Sequence, residues 1–141
     1  MGRMGVEPAG IDLATGFGNR AALARATRVG IATARRGGYS YALVLIAYSA
    51  SEDTTNRDRS LSLAMRASLR DTDQVFRIDE DLFVALLPMA AGLAVVNVME
   101  RAARLVDEQF AWGAAFADLD GNAVDELIGR AAGRLRWSWT D

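Results

Sequence analysis

The chain has 141 residues and contains no cysteine, histidine or lysine, so arginine supplies all 16 basic side chains. Without cysteine and histidine the sequence excludes disulfides, the usual zinc sites and Ser-His or Cys-His nucleophiles, and without lysine it excludes Schiff-base chemistry. The net charge of −2 argues against a nucleic-acid partner, because proteins that bind nucleic acids normally have more basic than acidic residues. A hydrophobic content of 51% is sufficient for one buried core, which predicts a single domain.

No segment has the features of an export signal or a membrane anchor. The start of the chain lacks a continuous apolar core, and no run reaches the roughly 18 apolar residues that a spanning helix requires. We therefore expect a cytoplasmic protein with no membrane partner. Residues 1–11, which include Pro8 and Gly10, are expected to form a flexible segment before one domain at 12–141.

Hydrophobic periodicity predicts an alternation of helices and strands. Continuous apolar runs rich in strand formers predict buried strands, whereas apolar residues that recur every three or four positions predict helices. In chain order the predicted elements are a helix over 19–36, a strand over 41–46, a helix through Leu61, Met65 and Leu69, strands over 74–78 and 82–87, a helix over 93–108, a strand over 110–117 and a last helix that runs toward Arg136.

The order of these elements limits the fold class. The acidic triplet 79–81 separates two adjacent strands and predicts a hairpin, which excludes a purely parallel sheet. The interleaved helices exclude a sandwich, so we predict an α+β fold with helices over a mostly antiparallel sheet. Asn122 is placed to cap the last helix, and Trp137 and Trp139 are expected to pack on the domain or on a partner.

Two motifs in the expected order then resemble a known family. The segment Asp12 to Arg20 resembles the D-x-L-T-G-L-x-N-R opening of GGDEF domains, the diguanylate cyclases that join two GTP molecules into cyclic di-GMP. The segment Arg77 to Pro88 resembles R-x-G-G-D-E-F-x-x-L-L-P, on the same predicted hairpin. The resemblance covers residues 12–136, and it implies a nucleotidyl cyclase-like palm with a sheet of about five strands.

The same comparison implies that the catalytic groups are lost. In the family, a carboxylate at the end of the first strand and the third letter of the signature hold the metal ions that bridge the phosphates. In this chain those positions are Ala47 and Asp81, and the glutamate that follows in the signature is Leu82, before the retained Phe83. Because alanine and leucine neither bind a hard cation nor accept a proton, we expect a degenerate domain without metal, cofactor or cyclase activity.

The nucleotide-binding positions differ as well. Where the family has two glycines close to the triphosphate, this chain has Asp79 and Glu80, which add bulk and a charge of the wrong sign. The base-reading passage of the family is shortened in this chain, and Asn56 and Asp58 are only loose counterparts of its asparagine and aspartate. These differences also argue against binding of GTP.

One ligand motif of the family is retained. Arg70 and Asp73 match the R-x-x-D of the inhibitory site that binds cyclic di-GMP, and Asp73 stands six positions before Asp79, as in the family. The resemblance implies that the arginine contacts guanine or phosphate and that the aspartate accepts from guanine. The alternative is structural: Arg70 would end a helix and Asp73 would shape the following turn. Candidate supporting arginines are Arg66, Arg77, Arg101 and Arg104.

Two functional hypotheses follow from the sequence. The first is an inactive GGDEF domain that acts as a cyclic di-GMP receptor in signal transduction, through Arg70 and Asp73. The second is a nucleotide-independent interaction domain that has kept only the fold. Both require a partner protein or a homodimer, because no output domain is present in this sequence.

Overall fold

A computed structural model describes residues 10–137 of the chain. The helices are α1 (Arg20–Gly37), α2 (Thr54–Ser68), α3 (Gly92–Leu105) and α4 (Val124–Ala132). The strands are β1 (Tyr41–Ala47), β2 (Gln74–Asp79), β3 (Leu82–Pro88), β4 (Ala111–Phe116) and β5 (Arg136–Trp137). The predicted order of helices and strands is confirmed, and β5 is an addition to it.

The strands form one sheet in the order β2-β3-β1-β4-β5, and every neighbouring pair is antiparallel. Strand β1 lies at the centre, and its residues from Tyr41 to Ile46 are all buried. This burial on both faces explains why the strand is apolar throughout rather than alternating. Each large side chain that is fully buried in this way contributes about 1.5–3 kcal/mol.

The helices cover both faces of the sheet. Helices α2 and α3 pack on the face that carries Val44 and Ile46, and helices α1 and α4 pack on the face that carries Leu43 and Leu45. Because successive strand side chains point to opposite faces, one apolar strand joins the two cores. The predicted α+β class is therefore confirmed.

The last helix differs from the prediction. Asn122 does not cap it: its Oδ1 atom accepts from the Asp118 N–H at 3.0 Å and so closes the preceding turn. The helix start is instead capped by Glu126, whose Oε1 atom accepts from the Ala123 N–H at 3.2 Å. Helix α4 ends at Ala132, where it crosses directly over Gly113 of β4 and leaves no room for a side chain there.

Smaller differences concern other boundaries. Helix α2 begins at Thr54, earlier than the apolar repeat indicates, because Asp53 caps it by accepting from the Asn56 N–H at 3.0 Å. Helix α3 ends at Leu105 rather than near Glu108. No helix within residues 10–137 combines the length and the hydropathy that crossing a membrane requires.

Only parts of the two chain ends are described. Of the predicted flexible segment, Gly10 and Ile11 join the domain, since the Gly10 carbonyl accepts from the Asn19 N–H at 2.9 Å and Ile11 forms a bridge with Gly18. Trp137 pairs with Ala111 in the sheet, but the residue is 51% exposed, so it does not pack into the core. Trp139 lies outside the described residues.

Candidate functional site

The β2–β3 hairpin brings the expected catalytic positions together at the end of β1. Ala47 is paired with Leu82 in the register of the two strands, and the Tyr48 N–H donates to the Asp81 carbonyl at 3.0 Å. The positions to which the resemblance assigns acidic groups are therefore neighbours. Only Asp81 has a carboxylate, because Ala47 and Leu82 carry hydrocarbon side chains alone.

The turn of this hairpin is acidic. The side chains of Asp79 and Glu80 are exposed, and Asp79 Oδ1 accepts from the Glu80 N–H at 2.8 Å. The strand register shifts between Arg77 and Asp79, so the turn is preceded by an irregularity. Two exposed carboxylates thus extend from the turn, at the positions where the resembling family has glycines.

Arg57, near the start of α2, fills the space behind this hairpin. The residue is only 1% exposed, and its guanidinium donates to Asp81 Oδ1 at 2.5 Å, to the Glu80 carbonyl at 2.7 Å and to Asp58 Oδ1 at 3.0 Å. Its carbon Cζ lies 4.6 Å from the ring centre of Tyr48. Carboxylates, a carbonyl and an aromatic face therefore surround one buried cation.

Arg77 approaches the same group of residues from β2. Its Nη2 atom lies 2.9 Å from Asp58 Oδ2, and its Nη1 atom lies 3.5 Å from Asp12 Oδ2. Its carbon Cζ lies 5.3 Å from the ring centre of Phe83. We call Arg57, Arg77, Asp12, Asp58 and Asp81 the arginine cluster.

Burial and hydrogen bonding act in opposite directions on Arg57. Burial acts to lower its pKa, but the hydrogen bonds to Asp81 and Asp58 outweigh burial and hold the pKa above the ordinary value. Burial also raises the pKa of the Tyr48 hydroxyl above its usual range, although the nearby Arg57 opposes this effect. Both side chains consequently keep their ordinary charge state, with Arg57 cationic and Tyr48 neutral.

The residues at the hairpin do not fit a metal centre. A hard divalent cation requires several oxygen ligands, usually from more than one carboxylate. Across residues 10–137, no group of three or more carboxylate, histidine or cysteine side chains is arranged to hold a metal ion. Asp81 Oδ1 already accepts from Arg57, and Asp58, the loose counterpart of a base-reading residue, is 6% exposed and contacts both arginines.

The retained ligand motif lies elsewhere, between the end of α2 and the start of β2. Asp73 accepts three N–H groups of Arg70: the backbone N–H at 2.9 Å, Nε at 3.1 Å and Nη2 at 2.8 Å. Nη2 also donates to the Pro88 carbonyl at 2.6 Å. The side chain of Asp73 is 0% exposed, whereas that of Arg70 is 47% exposed. The hydrogen bonds to Asp73 raise the pKa of Arg70.

A cavity of about 550 Å³ opens next to this pair. We call it the α2–β2 cavity; its lining includes Arg66, Arg70, Asp73, Gln74, Phe17 and Leu69. Gly18 lies against the ring of Phe76 so closely that any side chain would collide with it, which keeps the motif loop tight against β2. The cavity lining thus combines apolar side chains with two arginines, Arg66 and Arg70, and two aspartates, Asp71 and Asp73.

The four candidate supporting arginines separate in the structure. Arg66 lines the α2–β2 cavity, where its Nη2 atom donates to the Thr15 carbonyl at 3.2 Å. Arg77 belongs to the arginine cluster and does not line the cavity. Arg101 and Arg104 are exposed on α3, and neither lines the cavity. Among these four, therefore, only Arg66 accompanies Arg70 at the cavity.

Comparison with solved structures identifies the fold. The GGDEF domain of FimX from Pseudomonas aeruginosa matches with a TM-score of 0.77 at 15% identity, covering 90% of this chain and 91% of that chain. The GGDEF domain of DgcB from Caulobacter crescentus, in complex with c-di-GMP, matches with a TM-score of 0.75 at 16% identity, covering 94% and 89%. The chain has the fold of GGDEF domains.

A third GGDEF structure was solved with a protein partner. Diguanylate cyclase SiaD from Pseudomonas aeruginosa, in complex with its activator SiaC, matches with a TM-score of 0.72 at 21% identity, covering 88% of this chain and 55% of that chain. No protein-family model and no curated protein sequence matches the chain. The GGDEF fold is thus established by structure, at sequence identities too low to transfer an activity.

Sequence reasoning missed Arg57. It lies in the polar passage before the apolar repeat of α2, and nothing in its spacing predicts that its guanidinium reaches the hairpin. One signal was present. Of the three positions where the resembling family has acidic residues, only Asp81 is acidic in this chain, whereas the other two are Ala47 and Leu82. A carboxylate that remains without its metal-binding neighbours predicts a new counterion. An arginine on the neighbouring helix was the natural candidate, because the chain contains no other cationic side chain.

Proposed function

We propose that this chain is a catalytically inactive GGDEF domain that recognises cyclic di-GMP at the α2–β2 cavity. The observation that carries this proposal is Arg70, whose guanidinium is half exposed at the cavity and is held in place by a fully buried carboxylate. Such a guanidinium is already oriented, so little conformational entropy is lost when it binds an anion or a guanine edge.

The absence of cyclase activity is the first part of the proposal. Phosphoryl transfer between nucleotides depends on metal ions that neutralise charge on the phosphoryl oxygens. Ala47 and Leu82 supply no ligand, and Asp81 is paired with Arg57 instead. The acidic turn further repels a triphosphate.

Ligand binding is the second part, and it assigns different roles to the two motif residues. Within residues 10–137, Nη1 of Arg70 has no hydrogen-bond partner, so it is free to donate to a phosphate oxygen or to guanine. Asp73 is buried and accepts from Arg70 alone among the described residues, so it acts as a positioning residue rather than as a direct guanine contact. Arg66, at the same cavity, is the second cationic contact.

The second candidate function is an interaction domain that does not bind a nucleotide. One observation favours it: Arg70 and Asp73 satisfy each other, and Arg70 also ties the end of α2 to the Pro88 carbonyl of β3. In that case the R-x-x-D motif is retained as a structural clip. The complex of SiaD with SiaC is an example of a GGDEF protein with a protein partner.

The test is calorimetric titration of cyclic di-GMP into the wild-type protein, into Arg66→Ala and Arg70→Ala, and into Arg28→Ala as a control with an exposed arginine outside the cavity. We expect binding to wild type and to the control, and about 10-fold or weaker affinity in the two cavity variants, since each removes a charge-assisted contact. No heat with wild type would leave the interaction domain as the function. Unchanged affinity in both cavity variants would contradict the assignment of the site.

Activity is tested separately. Wild-type protein incubated with GTP and either Mg²⁺ or Mn²⁺ is expected to form no cyclic di-GMP. Any product that depends on Asp81 would overturn the proposed inactivity.

A further inference from the structure

The counterion of Asp81 is the strongest observation beyond the ligand motif. In the resembling family this signature carboxylate holds a metal ion, whereas in this chain its Oδ1 atom accepts from the Arg57 guanidinium at 2.5 Å. The same guanidinium donates to the Glu80 carbonyl at 2.7 Å, on the turn itself. One side chain of α2 therefore holds both the carboxylate and the backbone of the hairpin.

We propose that Arg57 is a built-in cation that has replaced the metal ion as the partner of the signature aspartate, closing the hairpin to divalent cations. Asp81 is then retained as the counterion of Arg57 and not as a metal ligand. This inference rests on the proposed loss of cyclase activity and is independent of cyclic di-GMP binding.

The surroundings of Arg57 fit a planar organic cation and not a metal ion. Its Cζ lies 4.6 Å from the centre of the Tyr48 ring and 5.9 Å from that of Phe83, and aromatic faces attract a guanidinium in such positions. Aromatic rings offer no oxygen ligands to a hydrated divalent cation. A metal ion at Asp81 would also lie next to the positive charge of Arg57, which repels it.

Burial explains why an acidic residue is kept at this position. Arg57 is 1% exposed, and a buried cation requires paired carboxylates, because a lone buried charge is strongly destabilising. Asp58 cannot serve Arg57 alone, since its second oxygen lies 2.9 Å from Arg77 Nη2. Within the cluster Asp12 contacts Arg77 and not Arg57, so loss of Asp81 leaves Arg57 with Asp58 alone, a carboxylate that it shares with Arg77.

The pairing is tested by a double-mutant cycle in urea with Arg57→Met, Asp81→Ala and the double variant. We expect Arg57→Met to raise the unfolding equilibrium constant about 100-fold or more, and the two changes to be coupled by about 10-fold or more. The matched control is the same cycle at the exposed pair Arg35 and Asp118, which are 2.9 Å apart with side chains 52% and 61% exposed. For this pair we expect the coupling between the two changes to be less than about 5-fold in the unfolding equilibrium constant. The proposal would be overturned if the effects of Arg57→Met and Asp81→Ala on stability were additive, or if their coupling were as small as that of the control pair.

The absence of a metal site at Asp81 is tested by comparing wild type with Asp81→Ala, so that the test does not depend on whether Arg57→Met folds. Free Mn²⁺ is followed by electron paramagnetic resonance during titration with wild type and with Asp81→Ala. We expect no Mn²⁺ binding that differs between the two proteins at up to about millimolar Mn²⁺, a range that covers weak carboxylate sites. Binding that is lost in Asp81→Ala would overturn the proposal. Neither outcome affects the cyclic di-GMP titration, so the two proposals fail separately.

Discussion

The arginine cluster and the α2–β2 cavity each contain an arginine paired with an aspartate, but opposite partners are buried. In the cluster Arg57 is 1% exposed and Asp81 is 37% exposed, whereas at the cavity Asp73 is 0% exposed and Arg70 is 47% exposed. The buried guanidinium of Arg57 is paired with groups of its own chain, whereas the buried carboxylate of Asp73 leaves the guanidinium of Arg70 partly exposed to solvent. The same chemical pair thus has a buried guanidinium in one region and an exposed guanidinium in the other, as the two proposals require.

The largest expected effect concerns the aromatic side of the cluster. Phe83 is 0% exposed, contacts Phe17 and Tyr48 edge to face, and lies near both guanidinium groups. Phe83→Ala should lower the free energy of unfolding by about 3–5 kcal/mol, because it opens a cavity in the core beneath the cluster. Urea denaturation measures the loss, with Leu119→Ala, at a side chain 84% exposed, as the control. A loss below about 1 kcal/mol would show that the cluster does not depend on its aromatic surroundings.

An intermediate effect is expected at the cavity. Asp73→Ala should lower the free energy of unfolding by about 1–3 kcal/mol, because the backbone N–H of Arg70 and the bonds to its guanidinium lose their acceptor. It should also weaken cyclic di-GMP binding, since Arg70 is no longer oriented. Asp73→Asn keeps one acceptor oxygen and should recover part of both. If Asp73→Ala abolished binding with no loss of stability, Asp73 would be a direct ligand contact and the contrast between the two regions would not hold.

A smaller, pH-dependent effect is expected at a third pair. The hydrogen bond from Arg134 lowers the pKa of Asp120 to about 2, below its ordinary value of 3.8. A carboxylate with a lowered pKa stabilises the fold above its unfolded-state pKa, and this contribution is lost as the pH falls through about 2. The difference in unfolding free energy between wild type and Asp120→Asn should therefore be present at pH 7 and shrink from about pH 4 to 2.

The control for this pH dependence is Arg134→Met, which removes the main cause of the shift. In that background Asp120→Asn should change the acid dependence of stability much less, because only the Phe116 N–H and Arg130 remain to lower the Asp120 pKa. A stability difference that grows toward pH 2 would mean that folding raises the pKa of Asp120 instead of lowering it. The pair would then differ from the other two in kind and not only in exposure.

The sequence was sufficient for the fold because the fold depends on local patterns. The continuous apolar run over 41–46 predicted the central strand, and the acidic triplet 79–81 predicted the hairpin. The resemblance assigned Ala47 and Leu82 to one catalytic site, and the strand register places them opposite each other. These features follow from periodicity and from turn composition, which a single sequence contains.

The site was less predictable because it depends on long side chains that act across elements. Arg57 and Asp81 are 24 residues apart, and no spacing rule connects a helix residue with a turn at that distance. Arg77 was one of four candidate supporting arginines of the R-x-x-D site, but its position on β2 directs it to Asp58 and Asp12. The Asn122 cap was wrong because Glu126 takes the backbone donors at the helix start.

The most direct test of the contrast between the two regions is one set of cyclic di-GMP titrations by calorimetry. It compares wild type with Asp81→Ala, which alters the closed region, and with Arg70→Ala, which alters the exposed one. We expect equal affinity for wild type and Asp81→Ala, and affinity about 10-fold weaker or worse for Arg70→Ala. Wild-type protein that gives no heat, or binding that is lost in Asp81→Ala and kept in Arg70→Ala, would contradict the proposed division between a closed and a ligand-binding region.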